Sequence, residues 1–205
     1  MTTAGEISGT GKRYYDDGIR RPRHTEDWYI EPPWTVDLLL EHEDFTGDTW
    51  DPACGSGTIP EAFAQRHQFI FASDIVDRGC PGMTERDFLA TLATTDDVRD
   101  LTVDNIVTNP PYHRAEAFAR HALDLARKKV AILVQAKFLF SQRRHVLFTT
   151  HPPARLYFLS TRPSMPPGDL LQAGEIEAKG GKVDYLWVVW DHEDVRPTQA
   201  RWLLK

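Results

Sequence analysis

The chain has 205 residues, 41% of them hydrophobic, which is typical of one globular domain with a sizeable core. No apolar run approaches the roughly 20 residues of a membrane span, and the polar start lacks the layout of a signal peptide. The formal net charge of −6 disfavours a protein that coats nucleic acid through bulk electrostatics. We therefore expect a cytoplasmic protein without membrane contact, acting as a monomer or homodimer.

The cysteines and histidines indicate neither a disulfide framework nor a metal centre. Cys54 and Cys80 are expected as free thiols, because nothing else in the composition indicates an oxidising compartment. The 8 histidines are scattered, and no Cys and His cluster has the spacing of zinc ligands. Basic residues cluster within residues 12–23 and again within 137–144, which keeps a local basic face open despite the acidic balance.

In chain order, residues 1–27 are polar without a sustained apolar period, which predicts a basic arm that is ordered only when something holds it. A single domain is predicted over 28–205, opening with an extended proline-rich stretch. Strands are predicted at 48–53, 68–75, 105–108 and 129–140, with a brief segment at 87–88 and helices at 35–42, 59–66 and 115–126. This alternation predicts an α/β fold, with a mostly parallel sheet covered on both faces.

The C-terminal third changes character. Two further strands are predicted at 154–160 and 183–190 with no long helix between them, and an antiparallel pair is the simplest arrangement. Tyr185 and Trp187 should share one strand face, with Trp190 opposite. The segment 161–182 is rich in Pro, Gly and polar residues, and loops of that length are usually functional, so we predict a substrate-recognition loop there.

A glycine-rich turn follows the first predicted strand of the alternating region, with the sequence Asp51-Pro52-Ala53-Cys54-Gly55-Ser56-Gly57. A tight turn of this kind suits a nucleotide-like cofactor, because glycine lets backbone N–H groups approach a ligand closely. Asp74 ends the next strand, 23 residues after Asp51, which suits a βαβ unit.

A second motif, Asn109-Pro110-Pro111-Tyr112, follows the apolar end of a later strand. The amide oxygen of Asn109 and the carbonyl of Pro110 could each accept one N–H bond from a planar amino group. The prolines fix φ and add no competing N–H donor, and Tyr112 offers a face for stacking an extruded base. The motif therefore predicts a site that holds an amino group for methylation.

On these motifs the chain resembles the S-adenosylmethionine-dependent adenine-N6 methyltransferases, over about residues 28–190. The resemblance implies a Rossmann-like class I fold with a mostly parallel seven-stranded sheet and an antiparallel C-terminal strand pair. It implies S-adenosyl-L-methionine as the cofactor. The residues implied to bind it are Tyr29, Pro32, Trp34, Asp51, Ala53, Cys54, Gly55, Gly57, Asp74, Ile75, Asp87, Phe88 and Asn109.

Particular roles follow from the same resemblance. Asp51 and its glycines would lie beneath the methionine part, Asp74 would hold the ribose, Ile75 would pack on the adenine, and Asp87 would accept from its amino group. Residues 29–34 would close over the methionine end. This chain departs from that last motif at Glu31, where Thr or Ser is more usual.

The resemblance also implies the catalytic and substrate-binding residues. Catalysis is assigned to Asn109, Pro110, Pro111 and Tyr112, and substrate contacts are assigned to Tyr112, Lys137, Phe138, Arg143 and Arg162. Adenine in DNA is the first substrate expected. Adenine in RNA and the glutamine side chain of a protein remain alternatives, because glutamine methyltransferases share the Asn-Pro-Pro-Tyr motif. A fold that only binds is disfavoured because both motifs are intact.

Overall fold

The computed structural model describes residues 14–15, 20–21, 26–93 and 102–205. Strands β1 (Tyr14–Tyr15) and β2 (Arg20–Arg21) form a short antiparallel ladder. The remainder of the arm predicted over 1–27 lies mostly outside the described residues. The rest of the described chain forms a three-layer α/β structure built on one sheet.

The sheet has 8 strands in the spatial order β10, β8, β9, β7, β6, β3, β4, β5. They are β3 (Thr49–Asp51), β4 (Phe71–Asp74), β5 (Thr84–Glu85), β6 (Val103–Thr108), β7 (Ala126–Gln135), β8 (Arg155–Leu159), β9 (Tyr185–Asp191) and β10 (Gln199–Leu203). Only β9 runs against the others; it pairs antiparallel with both β7 and β8. The Rossmann-like class and the antiparallel pair β8–β9 are thereby confirmed.

The number of strands predicted for the sheet needs correction. The sheet has an eighth strand, because β10 pairs parallel with β8 at the sheet edge. The residues of β10 are mostly exposed, so no buried apolar run in the sequence predicts this strand. The brief segment at 87–88 follows the short strand β5, and Phe88 starts a 3₁₀ helix, Phe88–Ala93.

The α-helices of the described residues are α1 (Pro33–Leu40), α2 (Thr58–Ala64), α3 (Ala115–Leu125), α4 (His145–Thr150) and α5 (Gly168–Gln172). Helix α1 starts at Pro33, earlier than predicted, because proline suits the first helical position. The strand predicted to reach 140 ends at Gln135, where a 3₁₀ turn, Ala136–Leu139, takes over. Helices α4 and α5 were not predicted, since neither is long enough to show an apolar period.

The core lies in two layers, one on each face of the sheet. Alternate residues of β7 face opposite layers: Ala131 and Leu133 pack with α1 and α2, whereas Val130, Ile132 and Val134 pack with α3 and α4. The aromatic residues of β9 divide as predicted, with Tyr185 and Trp187 in the first layer and Trp190 in the second. The near-continuous apolar sequence of β7 is therefore explained by burial on both faces.

The topology defines where a ligand can bind. From β3 the chain continues to β4 on one side, while β6 lies on the other side, so the strand order reverses beside β3. In open α/β sheets, ligands bind beyond the carboxyl ends of the strands at such a point. None of the described helices is long and apolar enough to cross a membrane.

Candidate active site

A cavity of about 250 Å³ opens at the carboxyl edge of β3, β4 and β6. This is near the lower end of small-molecule sites. The predicted site residues that line it are Tyr29, Ala53, Cys54, Gly55, Asp74, Ile75, Asp87, Phe88, Asn109 and Pro111. The structure therefore brings the two motifs and the acidic strand end, separated in sequence, around one space.

The glycine-rich turn is as tight as its sequence predicts. Gly55 and Gly57 have φ of +52° and +99°, in the left-handed region that favours glycine. A Cβ at Gly55 would lie 2.7 Å from Trp28 Nε1, and one at Gly57 would lie 3.0 Å from Cys80 Sγ. Both positions thus require glycine for conformation and for space. The Cys54 and Cys80 thiols are free and buried.

Asp51 ends β3 with a buried carboxylate, 1% exposed. Its Oδ1 accepts a hydrogen bond from the Ala53 N–H at 3.2 Å, whereas Oδ2 has no hydrogen-bond partner among the described residues. Burial raises the pKa of Asp51 well above its ordinary value; the Thr108 hydroxyl partly opposes the rise, and the nearby carboxylates of Glu31 and Asp74 add to it. The surroundings thus disfavour the ionised carboxylate, and a cationic ligand group would stabilise it.

Asp74 shapes the opposite side of the turn. Its Oδ2 accepts from the Gly55 N–H at 2.9 Å, and its Oδ1 accepts from the Val76 N–H at 3.3 Å. A carboxylate can accept about four hydrogen bonds, so capacity for hydroxyl donors remains. The adjacent Ile75 is 51% exposed, which leaves an apolar surface on the cavity wall.

The segment after β5 contributes two different side chains to the cavity wall. Asp87 Oδ1 accepts from the Leu89 N–H at 3.0 Å, which starts the 3₁₀ helix. Phe88 is buried and packs edge-on against Trp50, with ring centroids 5.2 Å apart. Phe88 therefore belongs to the core and to the cavity wall at once.

The side-chain amide of Asn109 is held by two acceptors. Its Nδ2 donates to the Tyr29 carbonyl at 3.2 Å and to Glu31 Oε2 at 2.8 Å. Its Oδ1 is buried and has no hydrogen-bond partner within the described ranges. Burial raises the pKa of Glu31 to about 7, although the hydrogen bond from Asn109 partly opposes the rise. The donor side of the amide is therefore satisfied and its acceptor side is not.

Tyr112 packs inward. Its ring stacks on Tyr29 with centroids 5.5 Å apart and an interplanar angle of 18°, and Tyr185 lies 5.8 Å away. Burial raises the pKa of Tyr112 well above its ordinary value, and the neighbouring Tyr185 hydroxyl adds to the rise. One face of the ring is thus occupied by Tyr29, and base stacking by Tyr112 stays a prediction.

Two residues predicted to close over the cofactor lie away from the cavity lining. Pro32 precedes α1, and its carbonyl accepts from the Thr35 N–H at 3.0 Å. Trp34 packs against the first core layer, with Lys205 Nζ 5.6 Å from its ring centroid. Their predicted cofactor contacts stay predictions.

The predicted substrate residues beyond Tyr112 are not brought to the cavity lining either. Phe138 is buried in the second core layer, under the Arg144 guanidinium at 4.8 Å, and Lys137 is exposed. Arg143 lies 3.3 Å from Glu116 Oε2 with its side chain 83% exposed. Arg162 is likewise exposed and lies 2.7 Å from Asp184 Oδ1. Arg143 lies in a 3₁₀ helix, Gln142–Arg144, beyond the carboxyl end of β7, and Arg162 lies beyond the carboxyl end of β8.

Several cavity residues were not singled out from the sequence, among them Asp27, Trp28, Arg78 and His113. Asp27 is buried with φ of +58° and accepts from both the N–H and Nδ1 of His113 at 3.0 Å. Trp28 lies against Gly55 and Gly168, and Arg78 lies 4.5 Å over its ring. Trp28 beside the proline-rich stretch was the available signal. These contacts hold the segment 26–31 across the site.

No protein-family model matches the sequence, and no curated protein matches it. Solved structures do match. A modification subunit assigned to a type I restriction enzyme from Vibrio vulnificus aligns over 94% of this chain and 47% of its own, with 16% identity and a TM-score of 0.55. This chain thus spans about half the length of that subunit.

Two further matches cover most of both chains. A predicted O-methyltransferase from Agrobacterium tumefaciens aligns over 85% of this chain and 86% of its own, with 13% identity and a TM-score of 0.57. An S-adenosylmethionine-dependent methyltransferase from Archaeoglobus fulgidus aligns over 78% and 92%, with 10% identity and a TM-score of 0.51. What this chain shares with these proteins is the methyltransferase fold.

Proposed function

We propose that this protein is an S-adenosylmethionine-dependent methyltransferase that transfers a methyl group to the exocyclic N6 of adenine in DNA. One observation carries the proposal. The amide of Asn109 uses its donors on Tyr29 and Glu31 and keeps a buried acceptor without a partner, on a residue that lines the cavity. An amino group bearing two hydrogens is the chemistry that such an acceptor would bind.

The residues around the cavity fit the cofactor. Asp51, which directly precedes the cavity-lining residues Pro52 and Ala53, would suit the ammonium of the methionyl part, and the remaining capacity of Asp74 suits the ribose hydroxyls. The exposed Ile75 and the Phe88 ring offer apolar surface for the adenine ring. The methyltransferase fold of the matched structures supports the same choice. When bound, S-adenosylmethionine supplies an electrophilic methyl group on a sulfonium.

The chemistry required of the protein is chiefly positioning. An exocyclic amine is a poor nucleophile because its lone pair is delocalised into the ring. Asn109 Oδ1 and the Pro110 carbonyl would each accept one N–H bond, which draws the nitrogen toward tetrahedral geometry and frees the lone pair. The nitrogen forms the new bond to carbon as the sulfur–carbon bond breaks. It then loses one proton, because the methylated ammonium is acidic.

Arginine side chains support DNA as the substrate. Arg114 lines the cavity, whereas Arg143, in the 3₁₀ helix that follows β7, and Arg162, after β8, are exposed. Exposed ion pairs contribute little to folding, so Arg143 and Arg162 could exchange their carboxylates for phosphates. The fold shared with a restriction-enzyme modification subunit agrees with this choice.

One experiment tests the proposal against its alternatives. The purified protein would be incubated with radiolabelled S-adenosylmethionine and, separately, duplex DNA, single-stranded DNA, total RNA or cell protein. We expect label in DNA, recovered as N6-methyladenine after digestion. Label in RNA would move the substrate to RNA adenine, and label in protein alone would exclude the adenine assignment. The Asn109→Ala variant, still able to bind cofactor, is the matched control for contaminating activity.

A further inference from the structure

The orientation of the Asn109 amide depends on its neighbours. A side-chain amide can turn by 180°, which exchanges its oxygen and its NH₂. In the observed orientation, Nδ2 meets two oxygens, the Tyr29 carbonyl and Glu31 Oε2. The turned amide would place Oδ1 against those two acceptors, losing both hydrogen bonds, one of which is charge-assisted. It would also present a donor where the reaction needs an acceptor.

We propose that Glu31 is a positioning residue for methyl transfer, which fixes the Asn109 amide with its oxygen free to accept from the substrate amine. This inference rests on the proposed function. It also explains why a carboxylate can stand where the resemblance implies Thr or Ser: an ionised carboxylate accepts but cannot donate, so it accommodates one orientation of the amide only.

The surroundings of Glu31 make this restraint sensitive to pH. Among the described residues, the ionisable groups that interact electrostatically with it are Asp51 at the end of β3 and Tyr112 after β6, and neither is cationic. The arginines that line the same cavity are Arg78, Arg86 and Arg114. Burial raises the pKa of Glu31 to about 7. Below that pH the protonated carboxyl gains an O–H donor that could meet the turned Oδ1, so the restraint from Glu31 weakens and only the Tyr29 carbonyl still opposes the turned amide. A cationic ligand beside Asp51 would favour the ionised form and lower this pH.

Methyl transfer by three variants tests the proposal. We expect Glu31→Ala to lower kcat by about 100-fold, since misplacing a reacting group by a small distance costs that much. The Kd for S-adenosylmethionine should change less than about 3-fold. Glu31→Gln, which keeps an acceptor, should restore kcat partly and lose the decline of kcat below about pH 7. Glu41→Gln, an exposed glutamate after α1, should match the wild type.

A measurement that needs no activity accompanies the kinetics. The side-chain NH₂ resonances of Asn109, assigned by their loss in Asn109→Ala, should shift with a midpoint near pH 7 in the cofactor-free wild type but not in Glu31→Gln. Unchanged kcat in Glu31→Ala, or a shift that persists in Glu31→Gln, would overturn the positioning role. A loss of cofactor affinity as large as the loss of kcat would assign Glu31 to cofactor binding instead. Absence of transfer to adenine by the wild type would overturn the proposed function, while the resonances still report on the restraint.

Discussion

Buried charged groups are paired at the amino ends of the parallel strands but incompletely paired at their carboxyl ends. At the amino edge of β8, Arg155 donates to Glu43, to Asp191 Oδ2 at 2.7 Å and to Asp194 Oδ2 at 2.7 Å. Lys129 Nζ also donates to Glu43, at 2.8 Å. Burial alone would lower the pKa of Arg155, but its hydrogen bonds with Glu43 and Asp191 raise it above the ordinary value. Each charged group of this ionic cluster thus has an oppositely charged partner within the protein.

At the carboxyl edge some buried polar atoms lack partners among the described residues. Asp51 Oδ2 and Asn109 Oδ1 are buried and unbonded among the residues described, and the pKa values of Asp51 and Glu31 are raised by burial. Buried polar groups cost stability unless they are paired. The ionic cluster around Arg155 therefore contributes to the stability of the fold. The unpaired polar atoms at the carboxyl edge are instead suited to contact a ligand. Perturbed carboxylates in a cleft are typical of functional sites.

The largest effect expected from this contrast is on the rate of methyl transfer at the carboxyl edge. Asn109→Ala should lower kcat by about 1,000-fold, equivalent to roughly 4 kcal/mol, because it removes an acceptor that acts on the reacting amine. Cofactor Kd, measured by calorimetry, should stay within about 3-fold. Asn105→Ala is the matched control, since Asn105 is also buried in β6 but its Nδ2 donates to the Thr46 carbonyl at 3.1 Å. Its cost should fall on stability, with kcat per folded molecule unchanged; equal kcat losses in both variants would contradict the contrast.

The next largest effect is on stability at the amino edge. Arg155→Met should lower the free energy of unfolding by about 3 kcal/mol, because it leaves the buried Glu43 and Asp191 carboxylates without their shared cation. Urea denaturation measures this change. At a temperature where the variant is folded, its cofactor Kd should equal that of the wild type. A loss of cofactor binding without a loss of stability would place the cluster in the functional site.

Asp51→Asn should weaken cofactor binding without lowering stability, the opposite of what is expected for Arg155→Met. The Kd for S-adenosylmethionine should rise by about 30-fold, roughly 2 kcal/mol, because the methionyl ammonium loses its counter-charge. Stability of the cofactor-free protein should not fall at pH 7.5. The pKa of Asp51 is raised in the folded state, so the protonated carboxyl favours folding at low pH and this contribution is lost as pH rises toward the folded-state pKa. Asparagine does not ionise, so the variant does not lose this stability. Thermal melts from pH 4 to 8 should show the variant gaining on the wild type; a lower Tm throughout would contradict a ligand-binding role.

The smallest effect concerns the surface. Arg143→Ala and Arg162→Ala should each weaken duplex DNA binding by about 3-fold and reduce the slope of log K against log salt by about 1. Stability should change by less than about 0.5 kcal/mol, since both ion pairs are exposed. Arg127→Ala is the matched control, because Arg127 is also exposed and pairs with Asp104 at 3.1 Å, but at the amino edge. An equal loss of DNA affinity in all three variants would contradict DNA binding at the carboxyl edge.

The sequence predicted well wherever a pattern is local. Alternating apolar runs and two glycine- or proline-marked turns predicted the α/β class, and the opposite faces of Tyr185 and Trp190 follow from the two-residue period of a strand. It failed where the local signal is weak. Strand β10 is mostly exposed, and the apolar residues after Gln135 suit a strand and a 3₁₀ turn equally.

By itself, the sequence determined the fold class, the two motifs and the type of chemistry they suit, because those depend on residue type and spacing along the chain. Only the tertiary structure decided which groups meet. In the folded chain, residues 26–31 lie across the site, and Glu31 pairs with Asn109, which is 78 residues away in the sequence. Tyr112 stacks on Tyr29 and packs against the core. Such contacts join segments far apart in the chain, and their geometry is set by how the sheet and its helices pack.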